Sequence, residues 1–299
     1  MKAMDISIII VNYNTKQVTQ NCLDSIFEKT EGVSYEIILV DNASTDGSKE
    51  HFSQESNIKY VYLNKNLGFG KANNIGYKYA KGKYIFLLNS DTLLISNAIL
   101  LFYRFMEEHD KSIACLGCEL INLEGNKVVS YGEFPSMSLI LKQRLSHFIP
   151  KNKRRCYGYN GPYKRKVGNN SFYVDYVTGA DLFIRKEVIE QCGFFDPDFF
   201  LYYEETEMQY RYRAHGYYSC ILQQQNIVHL EGESGNRKKS HLERARKQMD
   251  SFFKYMRKTH STSYYCVFRL LFFVISLPSF FYYNYPLKDR LLYMRALLS

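Results

Sequence analysis

From residue 6 to residue 108 the chain switches again and again between two periods, and this alternation restricts the fold more than any other feature. Ile6–Val11 and Glu36–Val40 are short, nearly continuous apolar runs rich in β-branched residues. Such runs suit strands covered on both faces. Between them Val18, Cys22, Leu23, Ile26 and Phe27 recur at helical spacing, with Asn14 or Thr15 placed to cap the helix. The pattern then repeats: a helix over Ser44–Ser56, a strand over Ile58–Leu63, a helix over Lys71–Ala80, a strand over Tyr84–Leu88 and a helix over Ala98–Glu108. Strands interleaved with helices of this length predict an α/β fold with a mostly parallel sheet flanked by helices.

Polar residues follow the strand ends: Asn12-Tyr13-Asn14, then Asp41–Asp46, then Asn89-Ser90-Asp91. In open α/β sheets ligands bind beyond the carboxyl ends of the strands. Asp41 can accept a hydrogen bond from the imide N–H of uracil or thymine; it could equally hold ribose hydroxyls or form a turn. Asp91 is suited to hold Mg²⁺ or Mn²⁺ against a diphosphate, or to cap the next segment. The Gly68-Phe69-Gly70 stretch looks like a dinucleotide glycine loop. It follows the third strand rather than the first, however, and Asn73 stands where the third glycine belongs. It reads instead as a loop that brings backbone amides to a donor, with Gly68 and Asn74 among its contacts.

After residue 110 the rhythm changes. Residues 122–172 read as loops. A strand is expected over Val174–Ile184, a helix over Glu204–His215 with Gly216 behind it, short strands over Tyr217–Leu222 and Ile227–Leu230, and a long basic helix over Lys238–Thr259. Glu204 and Glu205 follow the aromatic run Phe199–Tyr203. Carboxylates beside apolar rings are partly desolvated, which raises their pKa toward that of a working general base; they could also simply be acids matched to a helix N-terminus.

Composition narrows the class. With 299 residues, 46% hydrophobic and 23% charged, the chain is globular rather than disordered. The net charge of +9 favours phosphate-bearing ligands, nucleotides or anionic lipid. Acid-rich strand ends speak against a nucleic-acid partner. Seven scattered cysteines and an N-terminus leading straight into a strand lead us to expect a reducing, cytoplasmic setting. Cys115 and Cys118 lack a second ligand pair at zinc spacing and read as a buried pair on a strand. Tyr264–Tyr285 is apolar and aromatic but carries Arg269, Pro278 and Asn284. Arg269 at membrane depth would cost about 2.5–3.5 kcal/mol. The segment reads as an interfacial tail, its cations Arg257, Lys258, Arg269, Lys288, Arg290 and Arg295 facing lipid phosphates; packing on the main domain is the alternative. The expected division is a domain over 1–237, with a nucleotide-binding half to 110 and an acceptor half from 111, followed by the tail over 238–299.

Taken in order, residues 7–14 and Ile38–Ser48 resemble the start of family 2 glycosyltransferases of GT-A fold. Asn66–Gly76 and Leu87–Thr92 are similar to the bacterial rhamnosyltransferase-like branch. Thr178–Asp181, Gly193–Asp196 and Phe200–Glu205 follow its second half. The resemblance spans about residues 5–232. It implies inverting transfer of a sugar, with rhamnose favoured, from a dTDP- or UDP-sugar to a glycan acceptor; the tail leads us to expect a lipid-linked acceptor at the inner face of the cell membrane. Asp41 would meet the base, Asp91 and His229 the metal, and Glu205 would be the catalytic base beside Glu204. Two positions depart from the family pattern: Asn89 replaces the first acid of D-x-D, and Glu205 stands where Asp is usual.

Overall fold

A computed structural model describes residues 4–146, 160, 165–230 and 241–282. Its centre is a ten-stranded sheet ordered β3-β2-β1-β4-β11-β6-β12-β9-β8, with β5 paired to β12 off this path. The first half is parallel: β1 (Ile6–Asn12), β2 (Tyr35–Asp41), β3 (Lys59–Tyr62) and β4 (Tyr84–Asn89). The second half is mixed. β11 (Asp181–Arg185) runs antiparallel to β4 and to β6 (Ile113–Ile121), and β12 (Tyr218–His229) runs parallel to β6 but antiparallel to β5 (Thr92–Leu94) and β9 (Ser171–Val174). β8 (Arg165–Gly168) closes the far edge. The expectation of a mostly parallel sheet therefore holds only for the nucleotide half. The pairing of β4 with β11 also makes the sheet continuous across residue 110.

Alternate side chains divide between the two faces. Ile6, Ile8 and Ile10 pack with Cys22 and Leu23 of α1 (Lys16–Lys29) and Phe102 of α4 (Ala98–Glu108). Ile9, Ile38, Val40 and Leu87 pack instead with Ala72 of α3 (Phe69–Tyr77), Val188 of α6 (Lys186–Cys192) and Met208 of α7 (Glu204–Ala214). Burial on both faces is why these strands read as unbroken apolar runs. Between β2 and β3 lies only a short helix, α2 (Ser48–Phe52). Asp46 is needed elsewhere: its carboxylate accepts from the backbone N–H of Lys16 at 2.8 Å and of Ser48 at 3.1 Å, capping α1 and α2 together. Thr15 is the N-cap residue of α1 but makes no side-chain cap bond.

The acceptor half corrects several expectations. Residues 122–172 contain β7 (Tyr131–Gly132), α5 (Met137–Ser146), β8 and the start of β9. The strand expected over Val174–Ile184 is broken into β10 (Tyr176–Val177), paired with β7, and β11. The two short strands expected near the end of the domain are one strand, β12, with an irregularity between Leu222 and Asn226. Cys115 and Cys118 are buried on β6, and burial pushes both thiols up.

Helices α8 (His241–Thr259) and α9 (Thr262–Tyr282) pack on the main domain. Phe252, Tyr255 and Met256 of α8 and Phe268 and Phe272 of α9 form one cluster with Ile140 of α5 and Phe199. Two cations expected to face lipid face protein instead. Lys258 bonds Asp196 at 2.8 Å and Asp198 at 2.6 Å, and the Arg269 guanidinium lies 4.1 Å from the centre of the Phe253 ring. The boundary at 237, Lys288, Arg290 and Arg295 lie outside the described residues.

Candidate active site

Parallel register brings the three polar clusters to one edge of the sheet. Asn12 lies opposite Asp41, and Val11 opposite Asn89. Most of the polar side chains there hold the loops in place. Asn12 is fully buried; its Oδ1 accepts from the Thr15 hydroxyl at 2.8 Å and the Thr19 hydroxyl at 3.1 Å, and its Nδ2 donates to Ser44 Oγ at 3.2 Å. Asn14, in the left-handed region at φ 57°, accepts from Thr45 N–H at 2.7 Å. Asn42 donates to Asn66 Oδ1 at 3.0 Å and accepts from Leu67 N–H at 2.8 Å. Asn74 forms a reciprocal pair with the backbone of Phe195, donating at 2.8 Å and accepting at 3.2 Å. These four asparagines hold the loops at this edge through bonds within the protein.

Gly68 is likewise held by bonds within the protein. Its N–H donates to Asn66 Oδ1 at 2.9 Å and its carbonyl accepts from Ala72 N–H at 3.3 Å, while Phe69 N–H donates to the Phe200 carbonyl at 3.0 Å. A Cβ on Gly68, at φ 85°, would stand 2.0 Å from that same Phe200 oxygen. The close approach of the two loops by itself requires a glycine here.

Asp41 is fully buried. One oxygen accepts from Ser44 N–H at 2.7 Å and the other from the Tyr60 hydroxyl at 2.8 Å. Burial and this carboxylate push the Tyr60 phenol up. Asp41 thus occupies the turn-forming role left open by the sequence, with each of its oxygens already accepting one hydrogen bond. Tyr13 and Asn89 are half-buried at the same edge, and buried Ser90 lies 3.3 Å from the Thr15 hydroxyl.

Asp91 and His229 meet. Pairing of β5 with β12 sets His229 opposite Thr92, and His229 Nε2 lies 3.3 Å from Asp91 Oδ1. Asp91 is fully buried, and the His229 side chain is 15% exposed. The spacing is compatible with two neighbouring ligands of an octahedral ion bound at about 2.1 Å. Carboxylate oxygen suits Mg²⁺ or Mn²⁺, and imidazole tips the choice toward the transition metal. No cluster of three or more metal-ligating side chains occurs among the described residues. An ion here would therefore draw its other ligands from phosphate oxygens and water, as ions carried with nucleotides do. The pair fits a divalent cation on those terms.

The sequence offered no separate role for Asp181. It is fully buried on β11, accepts from Cys118 N–H at 2.7 Å, and is pushed up to about 7 by burial, with the charge of His229 acting in the opposite sense. A carboxylate within an apolar strand was the available signal.

Glu204 and Glu205 open α7 behind two consecutive left-handed residues, Tyr202 at φ 71° and Tyr203 at φ 66°. Such conformations cost about 1–3 kcal/mol each and persist only where the surroundings impose them. Here α8 imposes them: Ser251 Oγ donates to the Leu201 carbonyl at 2.8 Å, Lys254 Nζ to the Asp198 carbonyl at 3.0 Å, and Tyr203 packs on Phe252 and Tyr255. Glu204 is buried against the start of α3, where a Cβ on Gly70 would lie 3.6 Å from its own Cβ. Burial and the neighbouring Glu205 push Glu204 well up; burial pushes Glu205 up to about 7. Glu207, in the same turn, pairs with Arg211 at 3.0 Å.

The model of glycosyl transferase family 2 matches residues 7–172, more than half of the chain. The chain belongs to that family. This family 2 glycosyltransferase is 28% identical over 213 residues to the low-salt glycan biosynthesis hexosyltransferase Agl10 of Haloferax volcanii, covering 70% of this chain and 62% of the relative. It thus spans less than two thirds of that protein's length. In fold it is similar to GalNAc-T7 crystallised with UDP, GalNAc and Mn²⁺, with TM-score 0.61, 18% identity and coverage of 85% of this chain and 48% of the other. It is also similar to the mannosyltransferase PcManGT from Pyrobaculum calidifontis in complex with GDP-Man and Mn²⁺, with TM-score 0.56, 15% identity and coverage of 98% and 74%. The sheet flanked by helices is accordingly a mixed α/β, GT-A-like fold.

Proposed function

We propose that the protein transfers a hexose from a nucleoside-diphosphate sugar to a carbohydrate acceptor with inversion, as a step in surface polysaccharide synthesis. The observation that carries this reading is the pairing of two acid sites: Asp91 with His229 beyond β4, and Glu205 at the strained start of α7. In the reaction the acceptor hydroxyl loses its proton to the Glu205 carboxylate, its oxygen forms a bond to the anomeric carbon, and the bond from that carbon to the diphosphate breaks. A raised pKa suits Glu205 for taking that proton. Asp91 and His229 would hold Mn²⁺ or Mg²⁺, which when bound neutralises charge on the departing diphosphate. Two fold relatives solved with Mn²⁺ support the metal.

The donor is a dTDP- or UDP-sugar, with dTDP-rhamnose first, on the strength of the 66–76 and 87–92 stretches. The base would take one Asp41 oxygen from Tyr60, and Tyr13 would lie beside it. Nucleotides in the fold relatives include both UDP and GDP, so the fold alone does not select the base. The acceptor is lipid-linked and the protein peripheral at the inner face of the cell membrane. Support comes from the outer row of α9, where Val267, Leu270 and Val274 are 51%, 65% and 51% exposed. No helix among the described residues is long and apolar enough to cross a membrane.

The test is donor hydrolysis across UDP-, dTDP- and GDP-sugars, with and without Mn²⁺. Turnover of a uridine or thymidine donor, stimulated by the metal, is expected. Equal turnover of a GDP-sugar would overturn the base assignment, and no turnover of any donor would overturn the transferase reading.

A further inference from the structure

Asp181 begins β11 at the edge of the sheet that carries the candidate site. β11 lies between β4 and β6 and runs antiparallel to both, so its first residue stands beside their carboxyl ends. Asp181 is opposite Leu88, and the Ala180 carbonyl accepts from Asn89 N–H at 3.0 Å. In the order β4-β11-β6-β12, Asp181 therefore stands between the strand that leads to Asp91 and the strand that bears His229. Its side chain is held in place: Oδ2 accepts from Cys118 N–H at 2.7 Å, and a Cβ on Gly117 would lie 3.2 Å from one carboxylate oxygen and 3.3 Å from the other. Oδ1 is buried without a hydrogen-bond partner. Resting on the reading of Asp91 and His229 as cation ligands, we propose that Asp181 is a positioning residue for the cation, supplying the second negative charge that Asn89 does not.

Three observations support this role. A buried carboxylate with one oxygen unbonded costs free energy unless a positive charge compensates it. His229 gives the direction of that compensation, because its charge favours the ionised form of Asp181. The charge count is also short without Asp181: Asp91 brings one negative charge to a divalent ion and a neutral imidazole brings none. Asp181 does not add a third ligand, since no cluster of three metal-ligating side chains occurs among the described residues. It acts through space, in a buried setting where salt screens little.

Mn²⁺ binding to the full chain, read by electron paramagnetic resonance with UDP or dTDP present, tests the proposal. Asp181→Asn keeps an oxygen for Cys118 N–H and removes the charge. It should weaken Mn²⁺ binding about 10–100-fold, as loss of a group that supports metal ligands does. Nucleotide affinity in EDTA, read by calorimetry, should stay near that of the parent. Asn89→Asp, added to this variant, should restore Mn²⁺ binding by returning a carboxylate to the same edge. Melting curves establish that each variant is folded, and Asp181→Ser, whose hydroxyl can also accept from Cys118, serves if Asp181→Asn does not fold. Undiminished Mn²⁺ affinity in a folded variant, or no recovery with Asn89→Asp, would overturn the proposal. So would an equal loss of nucleotide affinity in EDTA, which marks a merely structural role. A parent chain that binds no Mn²⁺ with either nucleotide would overturn the reading of Asp91 and His229 too, whereas loss of the proposal alone leaves the parent's Mn²⁺ binding in place.

Discussion

At the scale of single residues, the asparagines show what a sequence does and does not display. Residue types at strand ends pointed to one edge of the sheet, where the parallel register does bring them together, yet an amide's partner cannot be read from its position. Asn12, Asn14, Asn42 and Asn74 all turned inward, because short loops carry many backbone N–H groups that need acceptors. Asp91 and His229 are far apart in sequence, and their meeting depends on β5 pairing with β12; only the family pattern hinted at it. Glu205→Gln keeps size and hydrogen bonding but removes the proton acceptor. Transfer should fall about 10²–10⁴-fold while nucleotide binding, read by calorimetry, stays near that of the parent. Glu204→Gln should have the smaller effect, since Glu204 is buried against α3; the reverse order would move the base by one residue. Asp91→Asn should lower donor turnover and abolish its response to Mn²⁺, and a variant with the parent's metal response would remove Asp91 from the site. Gly68→Ala should cost about 1–3 kcal/mol in backbone strain, with a similar further cost from the clash at the Phe200 carbonyl. A melting temperature within a degree of the parent's would contradict the close approach.

At the scale of elements, legibility followed how local the signal was. β1, β2 and β4 declare themselves because each is covered on both faces and forms one apolar run. β12 does not, since Gln223–Gln225 interrupt its pattern while the irregular register carries the strand on past them. α5 escaped notice because apolar and polar residues mix around its whole circumference. α9 has an inner and an outer face. Its inner face is fixed by Phe268 and Phe272, and its outer row is the part left for a membrane. Leu270→Asp combined with Val274→Asp should leave the inner packing intact and abolish sedimentation with anionic vesicles. Sedimentation equal to the parent's would rule out the outer row as the contact.

At the scale of the whole molecule, the buried acids set two opposed pH trends. Glu204, Glu205 and Asp181 all titrate higher in the folded chain than the ordinary carboxylate values of about 4. Between about pH 4 and pH 7 the folded state therefore holds more protons than the unfolded one, so these groups make stability fall as pH rises through that window. The base must be ionised, so transfer should rise through about pH 7. Melting temperature and rate measured over the same buffers should move in opposite directions, and a rate already at its plateau at pH 5.5 would show that no base with a raised pKa is in use. The hold that α8 keeps on residues 198–203 has a further consequence. A chain cut at 237 would retain β5, β12 and the Asp91–His229 pair but lose Ser251, Lys254 and the rings behind Tyr203. If the two acid sites have the roles proposed above, such a fragment would act as a decoy, sequestering activated sugar without handing it on.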